Sequence, residues 1–198
     1  MFNHQDGWLE FWDSLHEVAY KKVIREFYTR LSIEEKDGKL SIISTVKGVD
    51  FIFNEDDIAR WFGLKVEGEF WFHYDNWPLF GEDVQIAREA AIQNYMWNGF
   101  EIDNARTFPK EKYLSIRMRL ALTLIHENIS PRNVKDNRVP CMSAMLLYYL
   151  NTQKNVKFNL PRYIVYAMYS ISGRNSYSKT PGFGIMITRI YRGKKDKS

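Results

Sequence analysis

Between Leu40 and Phe53 the apolar residues leave a helical period and begin to alternate. The first run, Leu40 to Val46, carries Ile42, Ile43, Thr45 and Val46. The second places Val49, Phe51 and Phe53 on one face and Asp50 and Ile52 on the other. Gly48 stands at the tight point between them, which predicts a β-hairpin at about 39–53. Asn54 then occupies an N-cap position, and Glu55, Asp56 and Asp57 suit the positive end of a helix. Ile58, Trp61 and Phe62 form an apolar stripe, with Gly63 as the stop. Phe51 and Trp61 are assigned to the core.

The flanking chain has a 3.6-residue period. Trp8, Phe11, Trp12 and Leu15 make one stripe, continued by Val23, Ile24, Phe27, Tyr28 and Leu31. The pattern predicts helix over Trp8 to Leu31, with room for one break. Lys21, Lys22, Arg25 and Arg30 read as its wet face. Ile33 to Gly38 reads as a polar turn into the hairpin. Aromatic residues Phe70 to Tyr74 suit a strand or an irregular packed arm, and Asp83 can cap a helix reaching about Trp97.

Further on, Pro109 suits the opening of a helix. There Tyr113, Ile116, Leu120 and Leu124 form one apolar row. Leu114, Met118, Ala121, Leu122 and Ile125 widen it, so this helix is expected to be central. It should end at His126, Glu127 and Asn128. Pro140 and Pro161 each open another apolar helix, the second stopped by Gly173. FGIMITRIYR fits a last helix or an edge strand, and the helix is favoured. The fold class expected is mainly α, a single helical domain over 1–192 with an inserted β-hairpin near the N-terminal third (α+β by strict count). A basic tail, 193–198, follows.

A chain of 198 residues with 45% apolar content can bury a real core, which excludes disorder. The net charge of +4 is mild, so a role in coating nucleic acid is not forced. Its distribution says more. Asp6, Glu10, Asp13 and Glu17 lie in an opening stretch without Lys or Arg, whereas Arg189, Arg192, Lys194, Lys195 and Lys197 crowd the other end. Those five are the candidate nucleic-acid contacts, since phosphate binding requires only Lys and Arg. A solvated terminus is the plainer reading.

Cys141 is the one cysteine, so no internal disulfide can form, and a reducing compartment is expected. No apolar run reaches the roughly 18 residues of a membrane span. The first residues lack the basic region of a secretory signal. The expectation is an intracellular protein, nuclear or cytoplasmic, with no membrane contact.

Candidate chemistry is sparse. His73 and Asp75 are the nearest approach to a ligand pair, while zinc needs three or four converging ligands. No metal and no cofactor are therefore expected. Ser143 and Cys141 lie near no histidine in sequence, and no nucleophile elbow or phosphate loop is present. Glu55, Asp56 and Asp57 are accounted for by the start of a helix. His126 reads as a favourable charge at a helix C-terminus. No catalytic residue is assigned.

The order of packing residues resembles a plant family. VIREFYTRL, VKGVDFIFNEDDIARWFGL, ISPRNVKDNRV with AMLLYYLNTQKNVKFNLPRYIVYAM, and FGIMITRIYR together resemble the plant transposon protein domain of retroelement-related open reading frames. The likeness runs from Val18 to Arg192, with Lys65 to Phe108 departing from it. Residues 45 to 68 are also similar to the plant mobile domain, a retrotransposon-derived module with nuclear host members. The resemblance implies plant origin, mobile-element ancestry and no assigned enzymatic activity. The expected function is non-enzymatic macromolecular interaction, with protein as the partner. The alternatives are nucleic-acid binding through the basic end, and an enzyme whose site is scattered in sequence. Oligomeric state is left open.

Overall fold

The structure is a computed structural model that describes residues 8–15, 18–68, 111–129, 139, 143–144, 146–147, 158–172 and 183–196. The chain divides into two compact units. One comprises His4–Phe70 with Lys157–Ser198, and the other Met1–Asn3 with Trp71–Val156. Among the described residues the architecture is mainly helical with a small antiparallel sheet in the first third.

In the first unit, α1 (Trp8–Asp13) and α2 (Lys21–Thr29) precede β1 (Ser32–Lys36), β2 (Lys39–Val46) and β3 (Val49–Phe53). Then come α3 (Glu55–Phe62), α5 (Leu160–Ser172) and α6 (Gly184–Lys195), while α4 (Ile116–Asn128) belongs to the second unit. The break expected within residues 8–31 falls between α1 and α2. Phe11, Trp12 and Leu15, then Val23, Ile24, Phe27 and Tyr28, are all buried, and Lys21, Lys22, Arg25 and Arg30 are exposed.

The hairpin occupies its expected bounds. In register, Ile42 faces Phe53, Ser44 faces Phe51 and Val46 faces Val49. This face lies under α2, with Phe27 meeting Phe51 edge-on at 5.4 Å and stacking with Phe53 at 6.3 Å. Ser44 is the polar member of the buried face, and its hydroxyl donates to the Phe27 carbonyl at 2.8 Å. That bond removes the cost of burying an unpaired hydroxyl. On the other face Thr45 donates to Asp50 at 3.0 Å across the strands, and Ile52 is exposed.

The polar turn expected at Ile33 to Gly38 is instead strand β1, so the sheet has three strands in the order β1-β2-β3. Asp37 and Gly38 form its connection to β2, with φ of 54° and 72°. Two consecutive left-handed residues are what a two-residue hairpin turn requires, and Asp-Gly supplies them. Glu34, Glu35 and Lys36 are exposed, because β1 is an edge strand whose charges discourage further pairing. Lys47 and Gly48 repeat the same turn between β2 and β3, with φ of 48° and 80°.

Helix α3 begins as expected. Asn54 Oδ1 accepts from the amides of Asp56 and Asp57 at 2.9 and 3.2 Å, and Asp57 returns the bond to the Asn54 amide at 3.1 Å. Gly63 ends it at φ 66°. Ile58 and Phe62 are buried, whereas Trp61 is half-buried, with its ring beside Phe53 at 5.6 Å. Trp61 therefore borders the core.

Two expectations for α4 need correction. The α-helix starts at Ile116, not Pro109: Glu111–Tyr113 is a 3-10 turn, and Ser115 Oγ caps α4 by accepting from the Met118 amide at 3.3 Å. Nor is its girth covered. Met118, Ala121, Leu122 and Ile125 are buried, but Ile116 and Leu120 are 70% and 65% exposed. The helix carries two apolar rows, and one of them is buried. Positions 143, 144, 146 and 147 are helical and buried, within the stretch expected to follow Pro140. Asn159 Oδ1 accepts from the Arg162 amide at 3.0 Å at the start of α5. The helix reading of residues 183–192 holds, and α6 continues through Gly193, Lys194 and Lys195. The elements proposed for Phe70 to Tyr74 and for residues 83–97, the opening Pro109 and Pro140, and the stop at Gly173, lie outside the described residues.

Candidate functional site

Four cations of the basic end predicted from sequence, Arg189, Arg192, Lys194 and Lys195, lie between positions 189 and 195 of α6. Met186, Ile187, Ile190 and Tyr191 bury one side of that helix. Gly184 lets it approach α2 closely, since a Cβ there would stand 2.8 Å from Ile24 Cδ1 and 3.2 Å from Ala19 Cβ. One turn on, Thr188 is fully buried. Its hydroxyl donates to the Gly184 carbonyl at 2.8 Å and accepts from the Tyr20 amide at 3.0 Å. That second bond satisfies a backbone amide just ahead of α2.

The arginines of this end are held by the fold. Arg189 donates to the Ser14 carbonyl at 2.9 Å, and its guanidinium lies 5.3 Å from the Phe62 ring centre. It ties the chain after α1 to α6. Arg192 lies over the Tyr20 ring at 4.8 Å and donates to the Tyr20 hydroxyl. Lys194 is half-buried, Lys195 is exposed, and Lys197 lies outside the described residues. Tyr20 directly precedes Lys21 and Lys22. The α6 end is thereby fastened beside the first turn of α2, whose Lys21, Lys22 and Arg25 are exposed. The sequence marked those three as a wet face, but nothing in it joins position 21 to position 192.

A second charged group joins β2, α3 and α5. Glu55 is 9% exposed at the start of α3, and its carboxylate lies 3.7 Å from Arg162 Nε. Burial pushes the Glu55 carboxyl above its ordinary range, while Arg162 and Lys39 pull it back. Lys39 in turn bonds Asp56 at 2.6 Å, and that bond raises its ammonium group's pKa. A buried carboxylate without its cation costs more than the pair is worth. Arg162→Met should therefore destabilise by about 1–3 kcal/mol near neutral pH. The loss should shrink as pH falls and Glu55 takes a proton. Urea melts of both proteins at neutral and acidic pH measure this, and an equal loss at both would dissociate Arg162 from Glu55.

In the second unit, His126 Nε2 and Ser143 Oγ are 3.1 Å apart. The sequence placed no histidine near Ser143; 17 positions of separation hide the pairing. Ser143 has no exposed surface. The reading of His126 as a charge near a helix end is also overturned. Burial lowers its pKa from 6.5 to about 4, so it stays neutral at ordinary pH. The unfolded chain takes the proton first as pH drops. The stability His126 contributes is intact above pH 6.5 and is lost as pH falls toward about 4. The full loss is on the order of 3 kcal/mol before solvent screening of the half-buried ring is discounted. Urea melts near pH 7 and pH 5 should show that His126→Gln flattens this dependence. A slope equal to that of the unaltered protein would reassign it to the carboxylates.

Among the described residues, no group of three or more His, Cys, Asp or Glu could hold a metal ion. His73, Asp75 and Cys141 lie outside them. No helix of the described residues is long and apolar enough to cross a membrane. No curated protein and no solved structure matches the chain. Residues 4–195 match the family described as "Putative plant retrotransposon-related domain". That match spans nearly the whole chain, including both compact units and the packing residues of the hairpin, α3 and α6, and the protein therefore belongs to this plant retrotransposon-related family.

Proposed function

We propose that the domain acts by macromolecular contact and performs no catalysis of its own. The observation that carries this reading is the enclosed Ser143–His126 pair. A hydroxyl bonded to an imidazole is the arrangement that nucleophilic catalysis uses, but the hydroxyl must reach a substrate. Ser143 has no exposed surface, so a substrate has no path to its hydroxyl. The pair satisfies a buried hydroxyl. The Glu55–Arg162 pair serves the joint between α3 and α5. The family match covers both units, which supports treating residues 1–192 as one functional domain. Protein is the partner class favoured, met inside the cell, in the nucleus or the cytoplasm.

A serine-directed fluorophosphonate probe and a panel of activated esters test the non-catalytic part. No labelling and no turnover are expected. Labelling that Ser143→Ala abolishes would make the domain an enzyme. Chemical cross-linking of the full chain in plant nuclear extract tests the contact part. Adducts absent with the heat-unfolded chain are expected, and none above that control would end the reading.

A further inference from the structure

We propose that the exposed cations of α2 and of the α6 end form one surface that takes the phosphate backbone of single-stranded nucleic acid. This rests on the reading of the domain as one that works by contact, and it adds a nucleic-acid surface beside the protein contact proposed there. Lys21, Lys22 and Arg25 come from one end of the chain and Lys195 from the other. The Arg192–Tyr20 contact and the Tyr20–Thr188 bond bring the two groups together. Among the described residues Lys21, Lys22, Arg25 and Lys195 make no ion pair, so their charge remains available. Glu26 is the acidic residue within α2; it faces Arg30 at 3.5 Å and accepts from the Lys47 amide at 3.1 Å. Arg189 is excluded from the surface, because its guanidinium is committed to Ser14 and Phe62.

Two features favour a nucleic acid over an acidic protein. The cations come from two helices and outnumber the acids beside them, Glu26, which pairs with Arg30, and Asp196. Tyr20 stands among them 41% exposed with the Arg192 guanidinium over its ring, so ring and guanidinium together offer a surface against which a base can stack. Single strands present such bases, whereas a duplex hides them. DNA and RNA share the backbone charge, and the choice between them is read by experiment.

The test is fluorescence anisotropy of the full chain with labelled 20-nucleotide oligo-dT and oligo-U. With about four phosphate contacts, affinity should fall about 50-fold between 50 and 200 mM salt. Lys21→Glu with Lys22→Glu should weaken binding at least about tenfold at low salt. Acidic residues suit the first turn of a helix, so this variant keeps its fold. Lys195→Gln should weaken binding by roughly threefold. Lys36→Glu, on the edge strand, should leave it close to unchanged. Absence of binding at low salt overturns the proposal, although contact with a protein would still stand. Equal loss with Lys36→Glu overturns the assigned surface, because net charge alone would then explain it. Polyglutamate competing as well as unlabelled oligonucleotide would transfer the surface to an acidic protein.

Discussion

Phe51→Ala is expected to destabilise the protein by about 3–5 kcal/mol, the largest effect of any single ring in the sheet. Phe51 is fully buried on the inner face of β3, opposite Ser44 of β2, and its ring stands edge-on to Phe27. Truncation removes the transfer free energy of the ring and leaves a cavity that two strands and a helix cannot close. Trp61→Ala is the comparison. Its ring is larger but half-buried and borders Phe53, so about 1–2 kcal/mol is expected. Urea denaturation of the two variants reads the difference. A melt unchanged by Phe51→Ala would mean that the hairpin does not carry the core. In a double-mutant cycle with Phe27→Ala, the two rings should couple by about 0.5–3 kcal/mol, since they share one contact.

Phe11→Ala should cost a similar 3–5 kcal/mol, for a different reason. Helix α1 has six residues, too few to persist without tertiary support. Phe11 supplies much of that support. It is fully buried, with its ring edge-on to Trp12 at 5.2 Å and to Phe62 of α3 at 5.8 Å. Arg189 reinforces the same joint through the Ser14 carbonyl and the Phe62 ring. Arg189→Met keeps the aliphatic stem and loses the bond, and should cost about 1–2 kcal/mol. Amide exchange should show α1 opening in Phe11→Ala before the rest unfolds. If Arg189→Met proves the more damaging change, the joint is held by the guanidinium and the ring is secondary.

Much of the first unit was legible from residue order. The hairpin at 39–53, the Asn54 cap, the Gly63 stop and the final helix all appear where pattern placed them. Strand β1 was missed although its signal was present. Asp37-Gly38 is a strong two-residue turn signal, but Ser32 to Lys36 carries one apolar residue and so reads as a loop. An edge strand needs no second apolar face, because its outer side meets water. Helix α4 fails in the opposite direction. Its two apolar rows are equally visible, and periodicity cannot state which one a neighbour will cover.

The candidate site divides along the same line. Its cations could be named from sequence, but their roles could not. Arg189 and Lys195 read alike in a basic run; one is anchored between a carbonyl and a ring, and the other is open. His126 likewise reads as a charged helix end until burial makes it neutral.

Residue order by itself settled the turns, the caps and the faces of each element. Those depend on φ preferences and on bonds reaching three or four positions, so the information lies in neighbouring letters. Folding decided which faces were covered and which distant groups met. Tyr20 bonds Thr188 across 168 positions and Arg192 across 172. Such pairings depend on how a glycine at 184 lets two helices close on each other, a distance no local pattern encodes.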